Sequence, residues 1–164
     1  MKTFTKTIAL LSTVVALTAQ ADIAVSDTDS TSFDIGGEIQ PECKVSNSAL
    51  NTATALDLSS TDAQTAANVS IWCNTGQGTA STTYSSQNAG FLVNESGKKI
   101  AYKIDIDGTA NDLALTSDQT VAQQSGQGVE GADATKAVSI KPVVTGFEFA
   151  GTYSDTIEVT VAYN

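Results

Sequence analysis

The chain is expected to fold as an all-β sandwich, and three observations predict it. Short segments rich in β-branched residues alternate apolar and polar side chains, as half-buried strands do. Gly, Asn, Asp and Ser separate these segments, and beyond the first twenty-one residues no stretch sustains a helical apolar period. Cys43 and Cys73 each fall in such a segment, so a bridge between them would tie two strands together.

The first element is not part of the sandwich. Lys2 and Lys6 precede the apolar run IALLSTVVALTA, and the small residues AQA follow at 19–21. A basic start, a short apolar run and a small-residue cleavage position read as a secretory signal peptide, residues 1–21. The run is too short for a membrane-spanning helix. Cleavage after Ala21 would leave one mature domain from Asp22 to Asn164. The pair of cysteines in an exported chain then predicts a disulfide, worth about 3–4 kcal/mol in the chain-entropy model.

Strands are expected at about Phe33–Val45, Ala53–Leu58, Asn68–Cys73, Gly78–Ser85, Lys99–Asp107, Asp112–Thr116, Ala137–Val144 and Tyr153–Tyr163. The clearest is KIAYKIDID, with Ile100, Tyr102, Ile104 and Ile106 on one face and Ala101, Lys103, Asp105 and Asp107 on the other. One face belongs in a core and one in water. In NVSIWCN, Val69, Ile71 and Cys73 share a face, so the bridge to Cys43 points inward and Trp72 points out. Val121–Thr135 is poor in apolar residues and holds Gly126, Gly128 and Gly131, which predicts a surface loop.

Composition argues against several functions. Without Lys2 and Lys6, six lysines face eighteen acidic residues, a net charge of −12. Such a chain repels nucleic acid and anionic lipid surfaces. It has no histidine, the commonest general base, and none of the nucleophile or phosphate-loop motifs, so it is not expected to be an enzyme. Two cysteines without histidine make no closed zinc site, and no cofactor is expected. Asp105, Asp107 and Asp112 lack the spacing and closing glutamate of a helix-loop-helix calcium site and read as a solvated face running into a turn. Asn68 and Asn94 match glycosylation acceptors, to which no function attaches. Trp72 and Tyr84 read as packing aromatics rather than sugar platforms.

The last strand raises a question of its own. Ile157, Val159, Val161 and Tyr163 alternate with Thr156, Glu158, Thr160 and Ala162. Each apolar side chain would contribute roughly 1.5–3 kcal/mol when fully buried. Read as the final strand at a sheet edge, it leaves one row of backbone groups unpaired. An earlier segment must cover that edge, or another chain must.

At this point the residues resemble a family, the pilins of bacterial chaperone–usher fimbriae. Pilins close on an alternating strand with a penultimate tyrosine and a glycine fourteenth from the end; here these are Tyr163 and Gly151, with Val161, Val159 and Ile157 between. GGEIQPECKV resembles the pilin first strand, and VSIWCN the strand with the second cysteine. SSQNAGFLVNESGKKIAYKID and AGTYSDTIEVTV are similar to the spore-coat-U-type branch of secreted pilin-like domains. The resemblance covers most of residues 22–164.

It implies an immunoglobulin-like sandwich over 33–164 that lacks its last strand and is completed by donor-strand exchange. A periplasmic chaperone strand would fill the groove first. The N-terminal extension of another pilin subunit would replace it at an outer-membrane usher, giving a head-to-tail filament on the cell surface that serves adhesion. By this resemblance Gly151, Ile157, Val159, Val161, Tyr163 and Asn164 form the acceptor groove and chaperone-recognition edge, with the Asn164 carboxylate as the chaperone's anchor. Residues 22–32 are the expected donor extension, with Ile23 and Val25 entering the groove and Asp27 and Asp29 following on the same parity. The receptor is not readable. The competing expectation is a monomeric secreted sandwich that binds a ligand such as carbohydrate, its last strand covered by an internal segment.

Overall fold

A computed structural model describes residues 28, 30–128 and 133–164. The expected signal segment, Ile23 and Val25 lie outside the described residues. The chain divides into two compact units, Met1–Glu38 and Ile39–Asn164. In the first, residues 30–38 form neither helix nor strand, and Phe33 and Ile35 are 85% and 87% exposed.

The second unit is all-β. In chain order its strands are β1 (Cys43–Ala49), β2 (Gln64–Cys73), β3 (Thr79–Ser86), β4 (Phe91–Asn94), β5 (Lys99–Ile106), β6 (Ala110–Leu113), β7 (Gln119–Gln124), β8 (Gly126–Gln127), β9 (Ala134–Val143), β10 (Tyr153–Ser154) and β11 (Ile157–Tyr163). Among the described residues they form two sheets. The larger runs β1-β2-β9-β5-β4-β10, with β6 beside β5 and β8 beside β2. The smaller runs β11-β3-β7. Pairing is antiparallel except between β2 and β8.

The core forms where the alternating patterns predict it. Val69, Ile71 and Cys73 of β2 and Ile100, Tyr102, Ile104 and Ile106 of β5 are all buried. From the other sheet Ala80, Thr82 and Tyr84 of β3 face them, each 0% exposed. Cys43 and Cys73 are directly opposed in the β1–β2 ladder and are bridged. Replacing both by serine is expected to cost about 3–4 kcal/mol of stability. The urea midpoint of the oxidised protein against that of the double variant checks this.

Several expected boundaries move, each for a local reason. The strand proposed from Phe33 begins only at Cys43. Upstream, Gly36 and Gly37 have no side chain to pack and Pro41 no amide to donate. At Ala53–Leu58 there is no strand. Asn51–Thr54 is a single 3-10 turn, and a two-way clamp between Asp57 and Gln64 closes the loop behind it. The strand placed at Asp112–Thr116 runs instead over Ala110–Leu113, with Asp112 itself in the left-handed region at φ 54°. The expected loop from Val121 starts as β7, and β4 was not expected at all. The strand drawn from Tyr153 to Tyr163 is two strands in different sheets, divided at Asp155.

Candidate functional site

Two sheet edges face each other in this unit. β11 pairs with β3 from Ile157↔Ser86 to Tyr163↔Ala80, and among the described residues nothing pairs with its other edge. β1 pairs with β2 and is likewise unpaired on its far side. Between them opens a mostly apolar cavity of about 280 Å³. That is about twice the roughly 150 Å³ apolar cavity known to admit a benzene ring. Asn47 and Ala49 of β1 form one wall, and Ile157 and Val159 of β11 the other. Val69, Tyr84, Leu92, Val138 and Ile140 make the floor.

The site therefore sits where the sandwich core reaches the surface. Ile157, Val159 and Val161 pack against the core yet remain only half-buried, whereas their counterparts in β5 are sealed. An extended segment laid between β1 and β11 would find two rows of backbone donors and acceptors and an apolar floor. Strand addition works through those features.

One end of the groove is built around Asp155. Its Oδ2 accepts hydrogen bonds from the Ser86 hydroxyl and the Tyr102 hydroxyl, both at 2.6 Å. Its Oδ1 accepts from the backbone amides of Asn88 at 3.0 Å and Thr156 at 2.8 Å. One half-buried carboxylate thus fixes the point where the chain leaves β10 and enters β11, and it binds the β3–β4 turn and β5 to that crossing. The Tyr84 hydroxyl, on the floor, donates to Gln123 Oε1 at 2.7 Å.

Burial pushes the Tyr84 phenol up to about 12. Burial also raises Tyr102, and the bond to the Asp155 carboxylate adds to that. Both rings must stay neutral in the folded state. The stability they lend is complete below the unfolded tyrosine value near 10 and is lost as pH climbs through the folded values. The urea midpoint is therefore expected to fall between pH 10 and 12, and Tyr84→Phe should flatten part of that fall.

The residues expected at the site do not all meet there. Ile157 and Val159 line the cavity, and Val161 continues their row along β11. Tyr163 is 54% exposed at the far end. The side chain of Asn164 is tied to β3: its Oδ1 accepts from the Ser81 hydroxyl, and its Nδ2 donates to the Thr79 carbonyl at 3.4 Å. Gly151 lies elsewhere, before β10 and against Asn94, whose Nδ2 would stand 2.9 Å from an added Cβ. Cys43 and Cys73 anchor the wall strand β1 at the end away from the cavity.

Sequence reasoning missed two features. Asp155 stood unnoticed inside a continuous strand pattern. Phe33, Ile35 and Ile39 repeat at the two-residue strand period with Gly37 between them, and all three are more than 80% exposed. Their parity was the signal that could have found them.

No family model and no curated protein matches this chain. Among solved structures it is similar to a chain in the CsuC–CsuE chaperone–tip adhesion subunit pre-assembly complex from the archaic chaperone-usher Csu pili of Acinetobacter baumannii. Identity is 16%, the TM-score is 0.48, and the match covers 76% of this chain and 40% of that one. The chain thus spans well under half the length of that neighbour.

Proposed function

We propose that this chain is a structural, non-catalytic subunit of a bacterial surface fimbria, whose groove receives an extended strand from another copy. The observation that carries this reading is the pair of facing strand edges, β1 and β11, each unpaired among the described residues, over an apolar cavity. An edge over an open core is a strong template for a foreign strand.

The donating segment in this reading is 33–39. Phe33, Ile35 and Ile39 share one parity, while Asp34 and Glu38 share the other and would stay in water. That replaces Ile23 and Val25, whose row continues into Asp27 and Asp29 and would carry carboxylates into a dry groove. The contact is heterologous and does not close on itself, so it propagates as a filament. Before assembly a periplasmic chaperone strand would occupy the groove, and an outer-membrane usher would oversee the exchange. Surface attachment is the biological outcome.

Material sheared from cells and run on a denaturing gel without boiling is expected to give a ladder that boiling collapses to one band. A single band under both conditions would favour a monomeric secreted binding module instead.

A further inference from the structure

We infer that Asn74 is a positioning residue for strand exchange: it holds the root of the donor arm in line with β1 and so keeps the arm out of its own groove. The inference rests on the strand-exchange reading above.

The root is residues 40–42, between Ile39 and the first residue of β1. The Asn74 Nδ2 donates to the Gln40 carbonyl at 2.8 Å, and the Glu42 amide donates to Asn74 Oδ1 at 2.7 Å. The Asn74 amide in turn donates to the Glu42 carbonyl at 3.0 Å. Asn74 follows Cys73 directly, so its backbone extends the β1–β2 ladder by one step. Its side chain, with a donor and an acceptor on one planar group, extends it by another. Pro41 offers no amide, and Asn74 engages the residues on either side of it, Gln40 and Glu42.

This geometry sets a direction. The cavity lies at the Ala49 end of β1, beside Asn47, Thr156 and Ile157. The root joins β1 at Cys43, the end opposite the cavity. To fill its own groove, the arm would have to double back at residues 40–42. Three residues suffice for a hairpin connection, so chain length does not forbid that turn. Closing so short a loop is entropically cheap, and the local concentration of a tethered arm far exceeds that of arms on other copies. A self-filled subunit would be a closed monomer and would end growth. The turn requires breaking both side-chain bonds of Asn74, and those bonds bias the arm toward another copy.

The test is refolding of the oxidised mature chain followed by unboiled gel analysis. Wild type is expected to give a ladder with little compact monomer. Asn74→Ala should raise the compact, boiling-sensitive monomer about tenfold, in line with the loss of two hydrogen bonds. Asn74→Asp retains the acceptor for Glu42 but not the donor for Gln40, and should fall between. If the alanine variant does not fold, the aspartate variant decides by the same readout. Adding Ile35→Asp to either should abolish the compact monomer, because that species needs the arm; a merely destabilised fold would not respond this way. A ladder and monomer share unchanged in Asn74→Ala would overturn the role of Asn74 and leave strand exchange standing. Absence of any ladder from wild type would overturn strand exchange itself.

Discussion

Mixing a groove-blocked chain with an arm-blocked chain is expected to give a dimer and nothing longer. Val159→Asp places a carboxylate on the cavity wall, where an incoming strand would have to desolvate it, so that copy can donate but not accept. Phe33→Asp with Ile35→Asp puts charge on the inward parity of the arm, so that copy can accept but not donate. Each variant alone should run as a monomer. Together they can form one junction, from the intact arm of the first to the intact groove of the second. Native mass spectrometry of the mixture reads this directly. A dimer from either variant alone would mean that a different surface holds the copies together, and a full ladder from the mixture would place the contact outside these residues.

Asp155→Ala is expected to be the most damaging single change to the fold, at about 3–5 kcal/mol. Hydrogen bonds to a charged group are worth about 1.5–3 kcal/mol each, and four that share one carboxylate are not additive. The substitution would leave the Tyr102 and Ser86 hydroxyls and the Asn88 and Thr156 amides without their acceptor. Against a typical domain stability of roughly 5–15 kcal/mol that is a large share, and at the low end of the range it would leave a sizeable unfolded population. Asp155→Asn can still accept from the amides and should cost about half as much. Urea unfolding followed by tryptophan fluorescence measures both. A loss below about 1 kcal/mol for the alanine variant would show that the crossing between sheets does not depend on this carboxylate.

Where one face of a strand is apolar and the other polar, the sequence was readable. β5 and the second half of β2 appear as expected because their inward rows are uniformly Ile, Val, Tyr and Cys. β7 was hidden because its inward row includes Gln123, a fully buried polar residue whose Oε1 accepts the Tyr84 hydroxyl. The bulge at Ala66 hid the start of β2, since it shifts the inward parity between Ala66 and Val69. The groove was half legible. The row Ile157, Val159 and Val161 announced an open edge, but the opposite wall comes from β1, where Asn47 is polar and Ala49 is too small to give a strong apolar signal.

The bridge between Cys43 and Cys73 has a mechanical consequence for a filament built this way. Tension carried along the arm would reach each subunit at residues 40–42 and meet the sulfur–sulfur bond at the very next residue. Load would pass covalently from β1 into β2, an interior strand of the larger sheet, rather than unzipping β1 one rung at a time. The Asn74 contacts lie just outside that bond, so stretching should rupture them first, giving every link a small sacrificial element ahead of an inextensible one.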